Sequence, residues 1–455
     1  MVADDEKEPS LESRMDAKQL QSLQPELERW LEPFRACFKR AVTFNHFVCY
    51  LLGLMASLKR KSIEPIALAC GVAVRTLQEF LSFYVWDHAR LDRMLVNHVA
   101  NRCGAGGIGV IDATGHPKRG DKTPGVAPQY CGESGKIDNC VVAQHLLFTD
   151  NDPRNPFSCA LASDLFVPED WLTDRERCRE AGIPDTVVFR KKWEIARDQV
   201  KDALAAGVKL NWVVFDEDYG KVPAFWFELD RMGQLAVGEV PAVFRAWVKR
   251  PACRSGQAAH TSRRVDNLAK FSPAFRKQEW KRCRVKETTR GPLCWEYKAT
   301  RVHLVDNQGK PHHAGVPTDR LYWLIVLRQP ATGEIKYVVS NAGEKAEVEE
   351  LIRVLFSRWH VEKWFERAKQ DTGLGAFEVR TYQSLIRHWL GVRVAMCFLA
   401  EQTTRLRGEK CADHLRAGDR GGVDAGGEDV EARVVAMVRT AAADCLLPAS
   451  QCCFL

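Results

Sequence analysis

The residues of this chain with the clearest chemical potential are three acids: Asp112, Asp216 and Glu362. The apolar run Gly107 to Ile111 stops at Asp112 and is followed by Ala113-Thr114-Gly115. The run Asn211 to Phe215 stops at Asp216 and is followed by Glu217-Asp218-Tyr219-Gly220. Short apolar runs bounded by turn residues predict buried strands. An acid at such a strand end points out of the sheet edge, where a cation reaches it. Taken singly, a turn or helix-capping Asp explains either one. Glu217 and Asp218 leave the second acid open between neighbours, with the Tyr-Gly spacing favouring Asp216.

Glu362 lies in S-R-W-H-V-E-K-W-F-E-R-A-K, whose spacing predicts a helix. At 100° per residue Arg358, Glu362 and Lys369 fall within about a 40° arc. Val354, Val361, Trp364, Phe365 and Ala368 fill the adjoining arc, and Arg353, Lys363, Glu366 and Arg367 lie opposite. A plain amphipathic helix accounts for the apolar and solvated arcs but not for the stripe between them. A carboxylate at the core edge, flanked by two cations, suits a metal ligand beside bound phosphates. Salt bridging on the helix surface is the plainer reading of the cations. Three acids in strand, strand and helix contexts, in that order, point to one shared cleft.

The 455 residues suffice for two or three domains with real cores. The net charge of +7 is unevenly placed. From Pro241 to Thr300 there are fifteen Lys or Arg against four Asp or Glu. Such a block favours a polyanion partner, against the simpler reading of a solvated surface. The sixteen cysteines form no C-x-x-C pair, so no zinc site is expected. The start is charged, no signal peptide is visible, and no stretch reaches the length of a membrane span. The cysteines are therefore expected to be reduced, cytosolic and mostly buried.

Around these acids the elements fall into a definite order. Leu27-Trp30-Leu31-Phe34 and Phe47-Tyr50-Leu51-Leu54 show helical spacing. The segment I-E-P-I-A-L-A-C-G-V-A-V-R-T-L-Q-E-F-L has helix-turn-helix punctuation, with Gly71 at the turn and Val74, Leu77 and Leu81 on a second helix. Arg75, Thr76, Gln78 and Glu79 then face outward, with Arg75 and Gln78 of the types that contact phosphates or base edges. Many ordinary helix pairs share this pattern. After residue 105 the period changes: three strands, a helix (about Lys191 to Ala206), the Asp216 strand, a helix (Pro223 to Met232) and a strand (Leu235 to Val240). This order matches an RNase H-like core, with the Glu362 helix arriving later and another helix from about Tyr382 to Arg405. The expected class is α/β: an RNase H-like catalytic core with a β-rich insertion between the second Asp and the Glu, plus an all-α N-terminal domain. The expected divisions are a disordered N-terminus (1–20), a helical DNA-binding domain (21–104), a first core segment (105–240), the basic β-rich insertion (241–342), a second core segment (343–405) and a C-terminal tail (406–455).

With these residues in place, the chain resembles the DDE transposases of bacterial insertion sequences. Asp112, Asp216 and Glu362 look like the family's triad. Arg358, Glu362 and Lys369 match the Y-R-E-K signature of the IS-four-like superfamily, with Leu355 at the Tyr position. The stretch from Ile111 to Cys140 and D-x-x-Y-G at Asp216 look closer still to the insertion sequence 701 family. The resemblance runs from about residue 25 to about 400.

The resemblance implies cut-and-paste transposition by two-metal phosphoryl transfer. Asp112 would bridge two Mg2+ ions, with Mn2+ a substitute, and Asp216 and Glu362 would each complete one site. Arg358 and Lys369 would hold flanking phosphates. The partner is double-stranded DNA, both terminal inverted repeats and target, bound by a dimer on paired ends in the bacterial cytoplasm at the nucleoid. His116, Lys118 and Arg119 contact the DNA end or form a solvated loop. Trp323 stacks a flipped base, as in some relatives, or packs in the core. The other classes are a catalytically silent transposase-derived DNA-binding protein and an RNase H-like nuclease. Replacing Arg263, Arg264, Lys281, Arg282 and Arg284 together is expected to flatten the salt dependence of duplex binding, by about 0.9 in log–log slope for each phosphate no longer neutralised. An unchanged slope in a fluorescence-anisotropy titration would make the block a solvated surface.

Overall fold

A computed structural model describes residues 25–152, 156–254, 257–286, 291–307 and 315–416. The expected disordered terminus (1–20) and the Gly- and Asp-rich stretch of the tail lie outside these residues. Two compact units are present, with described residues falling within Met1–Leu91, Ala368–Glu378 and Val394–Leu455 for the first, and Asp92–Arg367 and Val379–Arg393 for the second. The first unit therefore draws on chain far beyond residue 104. The reason is visible at α1 (residues 25–31). Its Trp30 packs against Phe398, with ring centroids 5.8 Å apart, and donates from Nε1 to Glu401 Oε2 at 2.9 Å. A short amphipathic helix cannot bury its own apolar face.

The rest of the first unit is helical: α2 (Ala41–Met55), α3 (Ile63–Ala69) and α4 (Val74–Ser82). Gly71 takes the turn between α3 and α4 at φ +64°, a conformation that favours glycine, and Leu77, Phe80 and Leu81 are buried. Phe80 and Trp86 stack at 5.5 Å. Lys61 is buried here, and its ammonium donates to the carbonyls of Leu54, Ala56 and Asp371 at 2.6, 2.6 and 2.8 Å. One charge thus serves the carbonyl-rich end of α2 and a later helix end.

In the second unit α5 (His88–Arg102) precedes β1 (Gly107–Pro117), β2 (Ala127–Cys131), β3 (Lys136–Thr149) and β4 (Ser158–Phe166). Then come α6 (Glu169–Thr173), α7 (Arg175–Glu180), α8 (Lys192–Ala205), β5 (Leu210–Phe215), α9 (Glu217–Gly220), α10 (Pro223–Arg231) and β6 (Ala236–Val240). The basic region holds β7 (Arg245–Trp247), β8 (Cys253–Arg254), β9 (Gln257–Ala258), β10 (Arg263–Arg264), α11 (Val265–Phe271), α12 (Pro273–Arg276) and β11 (Lys281–Lys286). It continues through β12 (Leu293–Asp306), β13 (Val316–Pro317), β14 (Tyr322–Arg328) and β15 (Ile335–Ser340). The chain then forms α13 (Val348–Phe356), α14 (Trp359–Thr372) and α15 (Tyr382–Arg416).

β4, β3, β1, β5 and β6 lie side by side, antiparallel across β3 and parallel across β1–β5 and β5–β6. This mixed α/β arrangement is consistent with the RNase H-like core expected. The strands of the β-rich stretch between Asp216 and Glu362 extend the same sheet. β15 pairs antiparallel with β6, and β14, β12, β7 and β10 follow outward. The physical reason is that β6 would otherwise end the sheet with an unpaired row of backbone donors and acceptors. Among the described residues no disulfide joins the cysteines, most of which are buried, and no helix is long and apolar enough to cross a membrane. Lys61→Met leaves three carbonyls without their donor and is expected to lower unfolding stability by about 3 kcal/mol. Urea denaturation followed by Trp fluorescence measures it; an unchanged midpoint would show that the ammonium contributes nothing there.

Candidate active site

Asp112 sits inside β1 and Asp216 at the end of β5. The parallel register pairs Val110 with Val214, so two further residues on each strand bring Asp112 and Asp216 level. The Asp216 charge acts on Asp112, which shows the two side chains to be neighbours. Burial, and then the neighbouring Asp216 charge, push the Asp112 carboxyl up to about 7, while Arg358 opposes the shift. Burial, followed by Asp218, also raises Asp216. Asp216 accepts from the Asp218 backbone N–H at 3.0 Å as the cap of α9, whereas Glu217 and Asp218 are exposed in its first turn. The half-buried acid beside Asp112 is therefore Asp216.

The glycine of D-x-x-Y-G has a steric cause. A Cβ on Gly220 would lie 1.9 Å from the Glu239 carbonyl oxygen, so only glycine lets α9 lie against β6. Tyr219, just before it, is buried.

Glu362 reaches the pair through Arg358. The Arg358 Nη1 donates to Asp112 Oδ2 at 3.3 Å and Nη2 to Glu362 Oε1 at 2.7 Å. One guanidinium thus spans the first and third acids. The expected single helix is interrupted. α13 ends at Phe356, and Ser357 and Arg358 turn before α14 begins. The Ser357 hydroxyl donates back to the Val354 carbonyl at 2.6 Å, and the N–H groups of Ser357 and Arg358 bond three residues back. This tight turn takes Arg358 off the helix face and aims it at Asp112. The apolar arc is as predicted, with Val354, Val361, Trp364, Phe365 and Ala368 all buried. Trp364 and Phe365 pack on His145, with centroids 5.8 and 5.1 Å away, and His145 faces Asp112 in the β1–β3 register. His360 Nε2 lies 3.0 Å from Asn151 Oδ1. Asn151 takes φ +53° after β3, alone among the described non-glycine residues in the left-handed region. Burial pushes the His360 imidazole down to about 4, so it meets Asn151 as a neutral ring.

The remaining expected residues divide. His116 does not lie in a DNA-facing loop. It is 1 % exposed inside β1, 6.3 Å from the Trp389 ring, because the strand runs on through Pro117. Lys118 is half-buried and Arg119 exposed just beyond it. Trp323 is half-buried on β14, donates from Nε1 to the Gly343 carbonyl at 3.1 Å, and carries Arg301 4.9 Å over its ring, so packing engages both its polar tip and its face. Arg264 is held by Asp266 at 2.5 Å. Arg263, Lys281, Arg282 and Arg284 are exposed. In α4, Gln78 is exposed, and Arg75 pairs with Glu79 at 2.8 Å. Lys369 is in the last turn of α14, and Leu355 is buried in α13.

Lys286 was not singled out from sequence. It ends β11 with Nζ 4.4 Å over the Trp359 ring, and among the charges acting on it is Glu362. Its only sequence signal was membership of the basic block. Gln144 was also missed, although a Gln-His pair inside an otherwise apolar strand was a signal. Carboxylate oxygens that repel one another suit a divalent cation. Asp112, Asp216 and Glu362 are thus the residues that could hold one.

Fold and site together describe an α/β protein with one acid inside a central strand, a second just past the end of the parallel strand beside it, and an arginine that links the first to a glutamate of a later helix. Residues 33–292 match the DDE superfamily endonuclease family, and the chain belongs to that family. The matched region contains Asp112 and Asp216 but not Glu362, whose place rests on the Arg358 bridge. The chain is similar to "Probable transposase for insertion sequence element IS701" of Microchaete diplosiphon, 27% identical over 197 residues, 43% of this chain and 48% of that protein. The chain thus spans about half the length of that relative. The solved "Cryo-EM structure of piggyBac transposase synaptic complex with hairpin DNA" aligns over 97% of this chain and 84% of its own, at a TM-score of 0.42 and 9% identity, a likeness too slight to add to the argument. Gly220→Ala is expected to cost about 1–3 kcal/mol and to reduce nuclease activity by displacing α9. Unfolding midpoint and cleavage rate check both; an unperturbed variant would show that the close approach does not hold α9.

Proposed function

We propose that the protein is a DNA transposase that cleaves the ends of an insertion sequence and joins the freed 3′-OH to target DNA. The carrying observation is Arg358, which pairs with both Asp112 of β1 and Glu362 while Asp216 follows the neighbouring parallel strand, in a chain of the DDE endonuclease family. Asp112, Asp216 and Glu362 would hold two Mg2+ ions, or Mn2+ in their place, which supply activation of the attacking oxygen and stabilisation of the leaving one. The chain's own residues do the rest. Both Asp216 and Glu362 act on the Asp112 charge, so Asp112 would share in holding the metals with either of them. Its 17 % exposed side chain keeps bulk water from competing. Asp216, with one oxygen committed to the cap of α9, presents the other.

Arg358 is half-buried and ion-paired to two of the acids. As DNA enters, its fork is suited to pass from carboxylate to phosphate, the same planar geometry serving both. Lys281, Arg282, Arg284 and Lys286 follow one another along β11, and Lys286 stands beside Trp359 at the Glu362 end. They mark a path for a sugar–phosphate backbone into the site, with Arg263, Arg75, Gln78, Arg119 and Lys369 as further DNA contacts. In the first step water attacks the phosphorus at the transposon end and the 3′ oxygen leaves, taking a proton. In the second, that 3′-OH gives up its proton and attacks the phosphorus of a target phosphodiester, whose own 3′ oxygen leaves and takes a proton. Joining two ends calls for two such sites, hence a dimer on paired terminal inverted repeats, acting in the bacterial cytoplasm at the nucleoid. Asp112→Asn is expected to abolish Mg2+-dependent cleavage and strand transfer of duplexes carrying the true ends while leaving duplex affinity within about twofold, since one local charge is removed far from most phosphate contacts. Cleavage that persists in this variant would refute the site; cleavage without any joined product in the wild type would favour a nuclease.

A further inference from the structure

Behind the two strand-end acids lies a buried polar bridge that phosphoryl transfer does not itself require. Gln144 is on β3, opposite Ala113 of β1, with no solvent exposure. Its Nε2 donates to the carbonyls of Asp112 and His145, each at 3.2 Å. Its Oε1 accepts from the Tyr219 hydroxyl at 2.5 Å. Tyr219 is the third residue after Asp216, and Asp216 caps the short helix that carries it. One glutamine therefore touches the main chain of the first acid and, through one phenol, the turn of the second. Gln199 of α8 fixes the bridge from behind, donating from Nε2 to the Gln144 carbonyl at 2.9 Å and to Asp164 Oδ2 at 2.7 Å.

The backbone makes such a bridge useful. The last residue pair in the β1–β5 ladder is Val110 with Val214. Past it β5 ends while β1 runs on, so no ladder bond sets the distance between Asp112 and Asp216. Stability does not demand the bridge. Tyr219 packs among Phe215 and Phe225, where a phenylalanine would fit. Replacing both members of a buried hydrogen-bonded pair by apolar groups of like shape is often nearly neutral. A polar pair at this depth supplies direction where an apolar one supplies only contact.

We propose that Gln144 and Tyr219 are a positioning pair that sets the separation of Asp112 and Asp216 and thereby the affinity of the site for divalent cations. This rests on the metal-holding role of the triad given above. Ligand carboxylates held at a fixed separation lose less freedom on binding a cation, and partners behind metal ligands are typically worth about 10–100-fold in affinity.

The test uses the full chain with Mn2+ as probe, its binding followed by electron paramagnetic resonance, beside melting temperature and the Mg2+ dependence of cleavage. Tyr219→Phe and Gln144→Leu are each expected to weaken Mn2+ binding at least about tenfold and to raise the Mg2+ needed for half-maximal cleavage in step, with the rate largely recovered at saturating Mg2+. Each leaves a buried polar group unpaired and lowers the melting temperature. The double variant, apolar on both sides, is expected to regain most of that stability while keeping the weakened Mn2+ affinity. Wild-type Mn2+ affinity in the single variants, or affinity that returns with stability in the double variant, would overturn the positioning role alone. Mn2+ binding that survives Asp112→Asn would overturn the triad as the metal site, and this inference with it.

Discussion

The Asp112 carboxyl stands among like charges in a partly buried setting, with Asp216 and Glu362 opposing its ionisation and Arg358 favouring it, and its neighbours are arranged around that repulsion. The sheet creates it by setting Asp112 midway along β1, beside parallel β5, which ends just before Asp216. Burial sharpens it, which is why the Asp112 carboxyl lies so far above the ordinary carboxylate range. Arg358 answers it from a turn between two helices, reaching Asp112 with one nitrogen and Glu362 with the other. A site with this balance favours added positive charge.

The elements that carry the acids are fixed by more ordinary means. α14 sits where it does because Trp364 and Phe365 cover His145, the residue facing Asp112 across the β1–β3 ladder. The Asn151–His360 contact holds the first turn of the same helix. α9 lies close because Gly220 has no side chain to meet the Glu239 carbonyl. Each contact is modest, of order 1 kcal/mol or a few, yet together they bring residues 104 and 146 positions apart into one cluster.

Extending the central sheet through β15, β14 and β12 has a consequence for binding as well as stability. It turns the basic region from an appendage into the flank of the platform that bears the acids. β11, paired to β12, presents Lys281, Arg282 and Arg284 on its way to Lys286 and Trp359. Charge density that composition located only to a stretch of sixty residues is thereby given a direction, toward Glu362.

Much of this was legible in the residues alone, and what was legible is local. Apolar runs ending in acids marked β1 and β5, the spacing of Val361, Trp364, Phe365 and Ala368 marked the buried face of α14, and Gly71 marked a turn, because periodicity and turn chemistry act over a few neighbouring residues. What the tertiary structure decided depends on partners far along the chain. Arg358 was legible as a cation beside Glu362, but its grip on Asp112 spans 246 residues and needs a helix break that no spacing announced. The Tyr219–Gln144 bond spans 75. His116 reads as belonging to a basic loop until β1 continues past Asp112 and buries it. The later strands read as a β-rich stretch, but their place in the central sheet is set only when the open edge of β6 pairs with β15. In each case hydrogen-bond satisfaction or charge neutralisation is settled by whichever group the fold delivers, and sequence spacing carries no record of that delivery.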